Sequence, residues 1–161
     1  MDQIMIKHME TVRDITLNTL GKIKEERADI IPQGFNNNIR WNLGHIAFVQ
    51  EKIVFGISGG TPELPAEYKD LFRAGTSPAD WGEHVPSLSE IRAVLQDQTN
   101  RIKAFIPEHY HEDLKEPFTN SAGITFNTVG ETFLFSFFHE AMHLETIKQI
   151  HKAIKREEAA V

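Results

Sequence analysis

The sequence predicts an all-α protein, a four-helix bundle with one long crossover between its second and third helices. Four long segments repeat apolar residues at helical spacing, and the two-residue alternation of strands is almost absent. Two segments also open on capping-box patterns, Ser87-x-x-Glu90 and Thr128-x-x-Glu131. The length of 161 residues suits one domain, so residues 1–161 read as a single unit.

The first helix is expected over residues 3–27, where Ile4, Met9, Val12, Ile15, Leu17, Leu20 and Ile23 recur between polar residues. Ile31-Pro32-Gln33-Gly34 stops it. Asn36, Asn37 and Asn38 supply N-caps for a second helix over residues 39–56, which ends among Gly56, Gly59, Gly60 and Pro62. Residues 58–86 are rich in Gly, Pro and Ser and read as the crossover, with a short helix at 66–73. Ser87 opens the third helix, expected to about residue 105, with Ile91, Val94, Leu95 and Ile102 inside. A helical turn over residues 107–115 follows, then a turn-like stretch at 117–127 that at most pairs weakly as a hairpin. Thr128 opens the longest helix, which ends near residue 158.

Composition removes several classes of function. A net charge of -6 is a poor match for the nucleic-acid backbone. Lys148, Lys152, Lys155 and Arg156 make only a basic end to the last helix, where cations complement its dipole. There is no cysteine, so disulfides, thiolate metal sites and cysteine nucleophiles are excluded. No apolar run reaches membrane-spanning length, and the start lacks the basic stretch and apolar core of a secretion signal. The expectation is a cytoplasmic protein without nucleic-acid or membrane partners.

The chemistry lies in histidines. His139 and His143 are four apart on the last helix, so both imidazoles can reach one ion. The neighbouring Phe133-Leu134-Phe135-Ser136-Phe137-Phe138 is apolar almost all round, which marks a mostly buried helix. On the second helix His45 shares a largely apolar side with Trp41, Phe48, Val49 and Lys52. Turned inward, it would complete a three-nitrogen set that leaves a position open for water or substrate. Taken singly, each histidine is more ordinarily a surface or hydrogen-bonded core residue; two inward faces together favour the metal. His8, His84, His109, His111 and His151 fall on loops or polar faces and are expected at the surface. Trp41 is expected to be core.

Arg40-Trp41-Asn42-Leu43-Gly44-His45-Ile46-Ala47 and Phe138-His139-Glu140-Ala141-Met142-His143-Leu144 resemble the second-helix and last-helix signatures of the DinB/YfiT-like metalloenzyme family. The resemblance spans essentially the whole chain, although only these two motifs are sharp. It implies an up-up-down-down four-helix bundle with a divalent ion, zinc or nickel, on His45, His139 and His143. Characterised relatives include bacillithiol- or mycothiol-dependent transferases and isomerases, and a domain of ergothioneine-forming enzymes. One departure stands out: Glu145-Thr146 follows the histidine pair where family members often have Gly-Gln.

Three readings of the activity remain open at this stage. The first is a metal-dependent S-transferase in which a small thiol, absent from the chain itself, arrives as cosubstrate. Glu140 and Glu145 flank the histidine pair and could accept a proton or a ligand imidazole N–H, though either is ordinarily a helix-surface residue. Asn42 and Gln50 are further pocket candidates. The second reading is metal-dependent hydrolysis on the same ligands. The third is a non-catalytic metal-binding or dimerisation module, with Phe135 and Met142 off the core stripe and available to a second copy.

Overall fold

Each of the three long helices after the first begins where the sequence supplies a cap. The structure, a computed structural model, describes residues 2–160. It is mostly helical: α1 (Asp2–Leu20), α2 (Ile39–Glu51), α3 (Tyr68–Phe72), α4 (Leu88–His109) and α5 (Val129–Ala159), with a two-stranded sheet of β1 (Asp113–Thr119) and β2 (Thr125–Thr128). Asn38 accepts a bond from the Trp41 amide to open α2, and both capping boxes form, at Ser87 and at Thr128. No described helix is long and apolar enough to cross a membrane.

The first helix is shorter than expected. It stops at Leu20, and residues 21–28 tighten into turns that include a 3-10 segment at Glu25–Arg27. Gly21 weakens the helix there, and Arg92 of α4 donates to the Leu17 carbonyl at 2.7 Å, capping the end from outside. The buried stripe of α1 is also rotated from expectation. Met5, Met9, Arg13, Thr16 and Leu20 face inward, whereas Ile4 and Ile15 are exposed.

The second helix runs as expected, except that its last turns, Lys52–Ile57, are π-helical. The crossover contains α3 and a 3-10 turn at Pro78–Asp80. Its position depends on Gly44, because a Cβ there would lie 2.5 Å from the Phe72 ring. The glycine lets α3 press Phe72 directly onto the α2 backbone.

Two expectations for the region after α4 need correction. The helix runs through Pro107 to His109, since a proline near a helix end forfeits a single backbone bond. The expected helical turn then gives way to strand from Asp113, so the chain is not purely α-helical. The hairpin that was only a weak possibility is formed, with Phe118 opposite Phe126 and Thr119 opposite Thr125. Asn120 shapes its turn by accepting from the amides of Ala122 and Ile124, and Gly123 takes the positive φ of 79°. Phe126 packs on Phe135 at 5.0 Å between ring centres, which ties the hairpin to α5.

α1 and α2 each pack against both α4 and α5. The interior holds two apolar clusters, one around Leu43, Ile46, Ile91 and Ile147, the other around Met9, Ile102, Val129 and Phe133. Buried polar side chains from all four long helices also meet inside. Arg13 is 1% exposed and grips both carboxylate oxygens of Glu140 at 3.0 Å. It also donates to Gln50 and Gln98. Gln98 passes a bond to Glu51, which Arg101 holds with two more. An ion pair so enclosed needs such company to offset the loss of water.

Candidate metal centre

The two histidine-bearing helices meet face to face. His45 of α2 is 5% exposed, and its ring lies 5.2 Å from that of His139 and 4.7 Å from that of His143. The two α5 rings are 4.5 Å apart. One nitrogen from each of the three lies within 4.8 Å of the others, near enough for a shared ion. The sequence-predicted trio is thus brought together.

The surroundings decide how these rings are presented. His45 Nδ1 stands 2.6 Å from the Phe72 carbonyl, which can only accept, so the proton sits on Nδ1 and Nε2 keeps its lone pair. His143 is handled in the same way by Asn42. The Asn42 amide nitrogen donates to the Asn38 carbonyl at 2.8 Å, which turns Oδ1 toward His143 Nδ1, 2.8 Å away. Trp41 stacks on His45 with ring centres 4.5 Å apart and planes 12° from parallel, while its indole N–H donates to Thr76. Trp41 is therefore core, as expected, and it also sets the plane of His45. The third ring, His139, packs beside Phe135 and has no ring hydrogen bond among the described residues.

Protonation is suppressed throughout the trio. Burial pushes His139 down to about 3, helped by repulsion from charge on His143 and His45. Burial and then repulsion from His45 take His143 to about 4. Burial lowers His45 as well, against the opposing pull of the Phe72 carbonyl. Three neutral imidazoles with available lone pairs are the donor set a divalent ion needs, so the residues fit a metal.

The other candidates divide. Asn42 touches the site directly. Gln50 belongs instead to the buried network, bonded to Arg13 and to Ser136. Glu140 is 1% exposed and its carboxylate is engaged by Arg13, while Glu145 is exposed and accepts from Gln149. Neither glutamate bonds a histidine ring among the described residues. Phe135 is half-buried against Phe126 and His139, whereas Met142 is exposed. The surface expectation for the remaining histidines holds at His8, His84 and His111 but not fully elsewhere. His109 is half-buried and stacked on Phe105, and His151 is half-buried with its pKa lowered chiefly by burial.

A cleft of about 920 Å³ opens beside His45 and His139. Its walls come from α2 and the π-helical turns, from the crossover, and from the hairpin turn at Phe118 and Asn120. Sequence reasoning missed the crossover and hairpin walls, the Phe72 carbonyl and Arg13. A signal for Arg13 existed: Met5, Met9, Arg13, Thr16 and Leu20 follow helical spacing on one stripe. A backbone carbonyl has no such signature.

A mostly helical scaffold with three converging neutral imidazoles defines a protein able to hold a metal ion. The chain belongs to the DinB superfamily, whose family model matches residues 8–147. A solved structure described as the conserved protein of locus from Enterococcus faecalis shares the fold. It has a TM-score of 0.65 at 13% identity, covering 94% of this chain and 95% of that one. A search of curated proteins finds no match.

Proposed function

We propose that the chain is a divalent-metal-dependent S-transferase using a small thiol, with zinc or nickel held by His45, His139 and His143. The observation that carries this reading is the convergence of three neutral imidazoles, two of them tied at Nδ1 so that Nε2 is left to bind. When bound, a divalent ion on three imidazoles supplies the acidity that lets a thiol react as thiolate at neutral pH. The chain has no cysteine, so the sulfur must arrive with the cosubstrate.

The protein's own groups supply orientation and shelter. The Phe72 carbonyl and the Asn42 amide hold two rings and their protons, and Trp41 keeps the His45 plane. Phe48, Val49 and Phe135 line the cleft beside the histidines and exclude water, in a volume ordinary for small-molecule sites. Glu140, next to His139 in the sequence, has its carboxylate bound by Arg13, which anchors that part of α5. The same reading takes the chain as one domain, an up-up-down-down bundle, supported by the packing of α1 and α2 on both α4 and α5. Leu134, Phe138 and Met142, exposed at four-residue spacing on α5, support a second copy as partner.

Elemental analysis of the wild type beside His45→Ala and His143→Ala tests the site. One ion per chain in the wild type and none in either variant is the expected result. Unchanged metal content in both variants sinks the ligand assignment. Turnover of electrophiles by loaded protein should require added bacillithiol-like thiol, and turnover indifferent to thiol would replace the transferase by a hydrolase.

A further inference from the structure

We propose that the cleft beside His45 and His139 binds an organic anion with an apolar body, its carboxylate held by Lys69, Arg73 and Lys52. The inference rests on the proposed function for the reaction only; the binding stands on the cleft itself. Phe48, Val49, Ile53, Leu64, Phe118 and Phe135 give the cleft a mainly apolar wall. Such a wall favours a substrate with hydrocarbon or aromatic surface to bury.

Charge adds the second half. The chain as a whole is acidic, at -6, yet Lys52, Lys69 and Arg73 all line this one cleft. Lys69 and Arg73 are four residues apart, one at α3 and one at its C-cap, so they lie on the same side of that turn. None of the three forms an ion pair with a carboxylate among the described residues. The single carboxylate on the wall, Glu51, is already engaged by Arg101 and Gln98. The three cations are exposed and free of ion pairs among the described residues, and a guanidinium together with an ammonium suits a carboxylate.

The test compares three probes with the same body, 4-phenylbutyrate, 4-phenylbutan-1-ol and 4-phenylbutylamine, titrated into the full chain by ligand-observed NMR. The carboxylate should bind about tenfold tighter than the alcohol, and the amine most weakly. Lys69→Gln with Arg73→Gln should bring the carboxylate down to the level of the alcohol while metal content stays as in the wild type. Chelator-stripped protein should keep the preference. Equal binding of acid and alcohol, a preference that survives the double variant, or one that vanishes with the metal would each overturn the proposal. The last outcome would leave the metal site standing and put the anion on the ion instead.

Discussion

A single asparagine shows how a residue outside the ligand set governs it. Asn42 has its amide turned by the Asn38 carbonyl, and only that orientation offers an acceptor to His143. Without it, His143 can swing or shift its proton to the nitrogen needed for binding. Asn42→Ala should therefore weaken metal binding by about 10- to 100-fold while leaving helix content intact. Competition against a chelator of known affinity measures this, and an unchanged dissociation constant would remove Asn42 from the site. Trp41 works on the same scale through its face, because a ring stacked 12° from parallel with His45 leaves that imidazole little freedom to tilt.

Among the elements, α5 carries most of the chemistry, and its first turn controls where it starts. Glu131 accepts from the amides of Asn127 and Thr128, which lowers its pKa below the ordinary 4.5; the Asn127 bond contributes most. A carboxyl with a depressed folded pKa binds its proton more weakly folded than unfolded. Its contribution to stability is complete above the ordinary value and is lost as pH falls through the folded value. Thermal melts between about pH 6 and pH 3 should thus show a smaller acid loss for Glu131→Gln than for the wild type. Parallel curves would mean that the capping box does not carry the acid sensitivity. α3 matters in a different way. It is short, but Gly44 lets it sit so close that the Phe72 carbonyl reaches His45.

The whole molecule is held together at its centre by charge as well as by hydrocarbon. Arg13 from α1 reaches Gln50 on α2, Gln98 on α4 and Glu140 on α5, so one guanidinium links the four long helices. Removing either member of the Arg13–Glu140 pair leaves a buried charge without a partner. Arg13→Met should cost about 3–5 kcal/mol in urea unfolding, while Arg13→Met combined with Glu140→Leu should recover much of the loss. If the double variant is as unstable as the sum of the singles, the pair is not coupled. Because Glu140 follows His139 directly, this network also fixes the part of α5 from which two ligands project.

Most helix positions, both capping boxes and the His139–His143 pair were legible in the sequence because each follows from local spacing, while His45 was legible only as a histidine on an apolar helix side. A four-residue interval puts His139 and His143 on one face whatever else is present, and Ser87 and Thr128 cap their helices through neighbours three residues away. The tertiary structure alone decided which way the α1 stripe turned, where the cleft runs and what holds the rings. Those features arise between segments far apart in sequence: Arg13 with Glu140, His45 with the Phe72 carbonyl, and Asn42 with His143. The hairpin lies between the two cases, since its strands are short and mostly exposed and carry no apolar alternation to read. Local hydrogen bonds and periodicity leave a mark on neighbouring residues, whereas packing chooses partners across the fold by shape and charge.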